Sequence, residues 1–240
     1  ADTLNQEAVF LNGRPAVQNI DGFGGWSDGD ANFNAPNAPD QAVLTYYQKK
    51  RHIFGDLKIE IFDQQGNLLN SVPGSKRRGL SRSTWSMRLK PPKFPPAASA
   101  SFGAAFGPRV LPGTYNVKMT KNKQTYETKL QVVTDPRAKF TPEERKEQFD
   151  LTMRLYKLCE KMAYDVNAIN GVRDQAKDRM SKLGNDTAAK KQLQALSDNV
   201  DAIRGKIVAT KEGGMITGEE RIRENVGDLY GNVNGYEGKP

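Results

Sequence analysis

The sequence predicts an α+β chain in two parts, a β-sandwich followed by a small set of helices. Three observations carry this. Up to Asp135, apolar residues alternate with polar ones in short runs, the period of half-buried strands. From Thr141 onward they recur every three or four residues, the period of amphipathic helices. The charge divides at the same place. Residues 1–140 hold 19 Lys and Arg against 11 Asp and Glu, whereas residues 141–240 hold 17 of each. The expected parts are an irregular connecting segment over 1–40, the sandwich over 41–137 and the helices over 138–240.

The first 40 residues are rich in Gly, Asn, Asp and Pro. Ala8–Leu11 can form a short strand. Asp21–Asp40 has almost no period and reads as a loop. Its aromatic residues Phe23, Trp26 and Phe33 are expected to make interdomain contacts. Asp28, Asp30 and Asn32 set oxygens at alternate positions, as calcium loops do. Phe33 stands where such a loop needs glycine, and Pro39 where it needs glutamate. The plain Asx-rich loop is therefore preferred, and no metal or cofactor is expected.

Ala42–Gln48 is a strand candidate. Leu57–Asp63 alternates cleanly, with Leu57, Ile59 and Ile61 on one face. Gln64-Gln65-Gly66-Asn67 turns the chain into a returning strand over Leu68–Val72. Thr84–Leu89 predicts a further strand on which Trp85, Met87 and Leu89 face alike. Pro112-Gly113 opens a hairpin. Its first strand carries Tyr115, Val117 and Met119, and its second Tyr126, Thr128, Leu130 and Val132. Asp135-Pro136 ends it, because proline lacks a ladder donor. The hairpin's turn, Lys121-Asn122-Lys123, has no glycine. Lysine enters the left-handed region at a cost, so a turn longer than two residues is expected. Short antiparallel strands at this spacing predict an immunoglobulin-like or fibronectin-type sandwich. Pro91–Val110 interrupts it as a Pro/Ala/Gly-rich insertion of low complexity, without a core of its own. Such a loop costs little closure entropy.

Thr141 fits a helix N-cap, Pro142 the first turn and Glu144 the acid of a capping box. Phe149, Met153, Tyr156, Met162, Val166, Ile169, Val172, Ala176, Met180 and Leu183 then predict one long helix, eased at Asn170-Gly171 if anywhere. Gly184-Asn185 closes it, and Asp186 or Thr187 starts a second helix striped by Leu193, Leu196, Val200, Ile203 and Ile207. Gly213-Gly214 breaks that helix. Thr217-Gly218-Glu219-Glu220 is a further capping box before Ile222, Val226, Leu229 and Val233. The set reads as an α-helical hairpin or three-helix bundle.

The lone cysteine, Cys159, lies among Leu155, Leu158 and Met162 and reads as a small buried hydrophobe. No apolar run approaches the roughly 20 residues that span a bilayer. A chain that starts at Ala1 is expected to be a processed product or a piece of a larger protein.

Catalytic chemistry finds little support in the residue inventory. Asp56, Glu60 and Asp63 are close in sequence, but on a strand they read as solvent-facing or turn residues. The single histidine, His52, adjoins Lys49, Lys50 and Arg51 and is expected at the surface. The strongest functional hint is the span from Gln64 to Tyr126, which has no acidic residue. Within it Lys76, Arg77, Arg78 and Arg82 could contact an acidic polysaccharide, lipopolysaccharide or nucleic acid, against the alternative of a solvated edge. Nucleic acid is disfavoured because no stacking signature accompanies the charge.

Five segments occur in an order that resembles a known family: Asn37–Gln48, Leu57–Leu69, Gly79–Arg88, Leu111–Thr120 and Leu130–Arg137. Ile216–Pro240 adds a tail. Together they are similar to the C-terminal region of large secreted bacterial proteins with sortilin-like or BNR/Asp-box β-propellers, often labelled glycosyl hydrolases. The resemblance implies an Ig-like module and a helical hairpin that follow a propeller. It also implies a secreted, periplasmic or cell-surface location. The propeller and any catalytic acids it carries are absent from these 240 residues. The resulting expectation is a non-catalytic structural or protein-interaction module, partnered by the upstream propeller or another envelope protein. The alternative is an accessory carbohydrate- or anionic-polymer-binding domain of a glycoside hydrolase, with Trp26, Tyr46 and Tyr47 as a sugar platform.

Overall fold

The computed structural model describes residues 2–20, 40–97, 103–184, 186–211 and 218–235. Phe23, Trp26 and Phe33 lie outside these residues, as do Asp28, Asp30 and Asn32. The fold is α+β and divides into two compact units, one of Ala1–Lys90 with Arg109–Arg145 and one of Pro91–Pro108 with Lys146–Pro240.

The first unit carries the strands. These are β1 (Ala8–Phe10), β2 (Ala16–Gln18), β3 (Ala42–Gln48), β4 (Lys58–Phe62), β5 (Leu68–Pro73), β6 (Gly79–Trp85), β7 (Gly113–Lys121) and β8 (Gln124–Thr134). They form a three-stranded sheet in the order β1-β3-β6 and a five-stranded sheet in the order β2-β8-β7-β4-β5. Alternate residues of both sheets meet in one core. Phe10, Leu44, Tyr46 and Trp85 come from the first sheet, and Ile59, Ile61, Val117, Met119 and Val132 from the second. Trp85 and Tyr115 meet edge to face across it, with ring centroids 5.7 Å apart.

Three details correct the sequence reading. The unit is not wholly antiparallel, since β2 runs parallel to the end of β8 with Ala16 opposite Val132. The segment between β1 and β2 contains Gly13 and Pro15 and carries the chain from one sheet to the other. A three-residue strand is also too short to show alternation. The strand expected over Thr84–Leu89 is β6, which starts at Gly79 and pairs with β3 from Gln48↔Gly79 to Ala42↔Trp85. Its inward residue Ser83 is polar and donates to Pro73 O at 2.8 Å, so the alternation was masked. Met87 leaves the ladder with φ 56° and stays fully buried.

The third detail is the β7–β8 turn. Lys121 pairs with Gln124, so the turn has two residues, Asn122 at φ 50° and Lys123 at φ 67°. Two left-handed residues match the right-handed twist of the strands, and that gain outweighs the strain at Lys123. Lys121 is not a turn residue but the wholly buried last residue of β7.

The exit from the last strand is pinned by Asp135. Its carboxylate accepts from Ile20 N at 3.0 Å and from Arg137 N at 2.9 Å. The Arg137 guanidinium beside it holds this carboxyl well below the usual range. Helix α1 (Pro142–Lys182) begins with a reciprocal capping box. Thr141 N donates to Glu144 Oε2 at 2.9 Å, and Glu144 N to Thr141 Oγ1 at 3.2 Å. Its 41 residues run unbroken through Asn170-Gly171, about 60 Å in length. The division between the units falls inside it, after Arg145.

The second unit holds the rest of α1 with α2 (Thr187–Ile207) and α3 (Ile222–Gly235). Asp186 caps α2 by accepting from Ala189 N at 3.0 Å. Of the box expected before α3, Thr217 lies outside the described residues. Glu219 instead accepts from Thr210 N and Lys211 N. Cys159 is buried in a core with Leu155, Tyr230 and Val233, and burial pushes its thiol up to about 11.

The Pro91–Val110 stretch is not an appendage of the sandwich. Through Pro108 it belongs to the helical unit. Arg223 Nε donates to Pro95 O at 2.7 Å, and its guanidinium lies 4.6 Å above the Phe94 ring. Tyr230 donates to Phe106 O at 2.7 Å, and Ala104 enters the core. Small residues are used here because backbone meets backbone. A Cβ on Gly231 would sit 2.6 Å from Gly103 Cα.

Two substitutions test this account. Lys123→Gly removes the left-handed strain and should raise the unfolding free energy by about 1 kcal/mol in a denaturant titration. Gly231→Ala should lower it by roughly 1–3 kcal/mol through overpacking. Gly205→Ala, at a helical site with nothing within 4 Å, should instead be neutral or stabilising.

Candidate functional site

The register of β3 against β6 gathers the basic residues. Gln48 pairs with Gly79, so Lys49-Lys50-Arg51 leave and Lys76-Arg77-Arg78 arrive at the same end of the strand pair. The β7–β8 turn joins them there. The buried Lys121 ammonium donates to Glu7 Oε1 at 2.9 Å and to Lys50 O at 2.6 Å. That hydrogen bond, with the charges of Lys50 and Lys49, holds the Glu7 carboxyl below its ordinary value.

The loop bearing Lys76–Arg78 is fixed by its main chain. Gly74 N donates to Leu57 O at 2.7 Å, and Ser75 N to the buried Tyr46 hydroxyl at 2.5 Å. Gln48 Nε2 donates to Ser75 O at 2.7 Å and to Arg77 O at 3.1 Å. His52 N donates to Lys76 O at 3.0 Å. Gly74 is needed here, because a Cβ would come within 3.2 Å of Leu57 O. These bonds turn the carbonyls of Ser75, Lys76 and Arg77 inward, while the side chains of Lys76, Arg77 and Arg78 remain exposed. Glu7 is engaged by Lys121, and Asp56 by Lys76 at 3.4 Å. Lys49, Lys50, Arg51, Arg77 and Arg78 remain as exposed cations on a backbone fixed by these bonds.

The predicted site residues fare differently. Lys76, Arg77 and Arg78 come together. Arg82 is exposed too, but lies three residues into β6 on the outer face of the three-stranded sheet, opposite Thr45. His52 is not at the surface. It is buried because the chain folds under Lys76, and its Nδ1, like Gln48 Oε1, has no hydrogen-bond partner among the described residues. The sugar platform loses Tyr46, which is wholly buried, and Tyr47 is half-buried beside it. Asp63 is a turn residue, accepting from Gln65 N at 2.9 Å and Asn67 N at 2.8 Å. The described residues contain no group of three or more His, Cys, Asp or Glu able to hold a metal. No helix among them is long and apolar enough to cross a membrane.

Two basic residues of the acid-free span are structural. Lys121 is one. Arg109 is the other, paired with Asp40 and hydrogen-bonded to Asn19 O at 3.1 Å. Sequence reasoning missed Lys49, Lys50 and Arg51 as partners of Lys76–Arg78. The signal available was their position at the end of a strand that must pair with another basic-tipped strand.

No protein-family model matches the chain, and no curated protein matches it. Among solved structures, the chain is similar to the crystal structure of CopC from Methylosinus trichosporium OB3b, at a TM-score of 0.27 and 14% identity. The match covers 56% of this chain and 99% of that one.

Gln48 is the anchor that a substitution can isolate. Gln48→Leu keeps the volume and removes both donors to the loop. It should cost about 1–3 kcal/mol and speed amide exchange across residues 75–78, measured by native-state hydrogen exchange.

Proposed function

We propose that the chain is a non-catalytic interaction module of a larger secreted or cell-surface protein, and that its β unit engages an anionic partner through the cationic end. The observation that carries this is the loop of Ser75–Arg78, held by buried Gln48 and Tyr46 with its basic side chains left outside. A backbone fixed in this way favours binding to a polyanion, because the loop loses less freedom when it binds.

Support for an immunoglobulin-like sandwich comes from strand order. β1-β3-β6 corresponds to strands A, B and E of that fold, and β4-β7-β8 to C, F and G. The Tyr115 hydroxyl donates to Leu111 O at 2.5 Å, which is the bond of a tyrosine corner. For the helical hairpin, Arg173 of α1 reaches Asp201 of α2 at 3.3 Å. The resemblance to sortilin-like and BNR propeller proteins supports an upstream propeller as a neighbour and an extracytoplasmic location.

Calorimetric titration with alginate tests the binding reading, with neutral dextran as control. Alginate should bind and weaken as salt rises. Replacing Arg77 and Arg78 by serine should weaken it about tenfold at low salt. Replacing Arg179 and Lys182 on α1 should leave it unchanged. Salt-insensitive binding, equal affinity of the Arg77/Arg78 variant, or an absence of binding to every anionic partner tested overturns the reading.

A further inference from the structure

We propose that the anionic partner is a lipid surface, and that Ile53 and Phe54 enter it while the surrounding cations hold the headgroups. This rests on the reading of the cationic end as a contact site and names what it contacts.

The β3–β4 connection carries the evidence. Ile53 is 69% exposed and Phe54 85% exposed, side by side at the tip of a short loop. Single exposed apolar residues are common on protein surfaces. Here two large ones are adjacent, and the loop beneath them is fixed on both sides. On one side His52 is buried and its N–H is bonded to Lys76 O at 3.0 Å. On the other, Asp56 pairs with Lys76 at 3.4 Å and Leu57 is in the core. Gly55 makes the return with φ 70°, a conformation suited to glycine. The tip therefore cannot fold back to hide its apolar groups without breaking those anchors.

The setting of the tip selects the partner. Lys49, Lys50 and Arg51 precede it in the chain, and Lys76, Arg77 and Arg78 lie on the loop bonded to its base. Glu7 and Asp56 are offset by Lys121 and Lys76, and Lys49, Lys50, Arg51, Arg77 and Arg78 make the end positive. An acidic polysaccharide offers charges to these cations but no apolar phase for a phenyl ring and a sec-butyl group. A bilayer of anionic lipids offers both, headgroup charge for Lys and Arg and acyl boundary for Phe54 and Ile53.

Co-flotation of the 240-residue chain with vesicles of phosphatidylglycerol and phosphatidylcholine provides the test, with vesicles of phosphatidylcholine alone for comparison. The chain should float with the anionic vesicles and not with the neutral ones. Ile53→Ser with Phe54→Ser, at exposed positions that leave the core intact, should reduce that partition at least about tenfold while alginate affinity stays unchanged. Phe54→Trp should shift its emission to shorter wavelength on anionic vesicles and be quenched by brominated acyl chains. Flotation by the double variant equal to the parent chain overturns the lipid assignment. So does alginate binding without vesicle binding, and either result leaves the anionic-partner reading standing. Binding to neither alginate nor vesicles overturns both.

Discussion

The Lys121 ammonium is the interaction on which the cationic end depends. A charge with no exposed surface costs several kcal/mol to bury unless a counter-charge and further acceptors meet it. Only one arrangement of the neighbouring chain supplies these. Glu7, at the entrance to β1, gives the carboxylate, and Lys50, just past β3, gives a carbonyl. Lys121 itself ends β7 in the other sheet. One side chain thus ties the two sheets at one end and fixes where Lys49–Arg51 emerge. Hydrophobic contact alone would allow the ends of the sheets to slide, because it has no direction. The ion pair, buried at its Lys121 end, has direction and removes that freedom.

Gathering cations is unfavourable in itself, and the fold opposes the repulsion with main-chain bonds. Lys76, Arg77 and Arg78 repel one another and repel Lys50 and Arg51, screened only over about a Debye length of 10 Å. Their backbone is nevertheless held by Tyr46, Gln48 and the His52 amide. The result is a loop whose exposed cations are held close together by its backbone. Gln48 and His52, both buried, lie beneath the same loop and hold its carbonyls through Gln48 Nε2 and His52 N.

What was legible in the sequence is what local physics decides. The alternation of Leu57, Ile59 and Ile61 gave a strand, and Thr141 with Glu144 gave a capping box that the coordinates realise atom for atom. The acid-free span from Gln64 to Tyr126 singled out Lys76–Arg78 as a proposed contact. What was not legible depends on partners distant in sequence. Nothing near His52 or Lys121 says that either is buried, because the groups that bury them are Lys76 O, Glu7 and Lys50 O. The β6 pattern failed for the same reason, since Ser83 faces inward to satisfy Pro73 O. The small residues of the 91–108 segment read as low complexity, yet Gly103 is small because α3 backbone passes against it.

The path of the chain explains why the site can be assigned to the β unit alone. The 91–108 segment leaves and returns at one point of that unit, where Arg88 bridges to Arg109 and Val110 N donates to Met87 O at 2.8 Å. An excursion that closes on a ladder costs the sandwich little beyond loop entropy, which grows only slowly with length. Among the described residues, the core of Leu44, Ile59, Trp85 and Val117 draws on none of the segment. Among the described residues, the bonds that shape the cationic end named above come from residues before Lys90 or from Lys121. The helical unit has its own core around Cys159 and Tyr230, in the charge-balanced half of the sequence. The excess charge, the buried polar anchors and the exposed apolar tip therefore coincide at one end of one unit, and the proposed function rests on that coincidence rather than on any single motif.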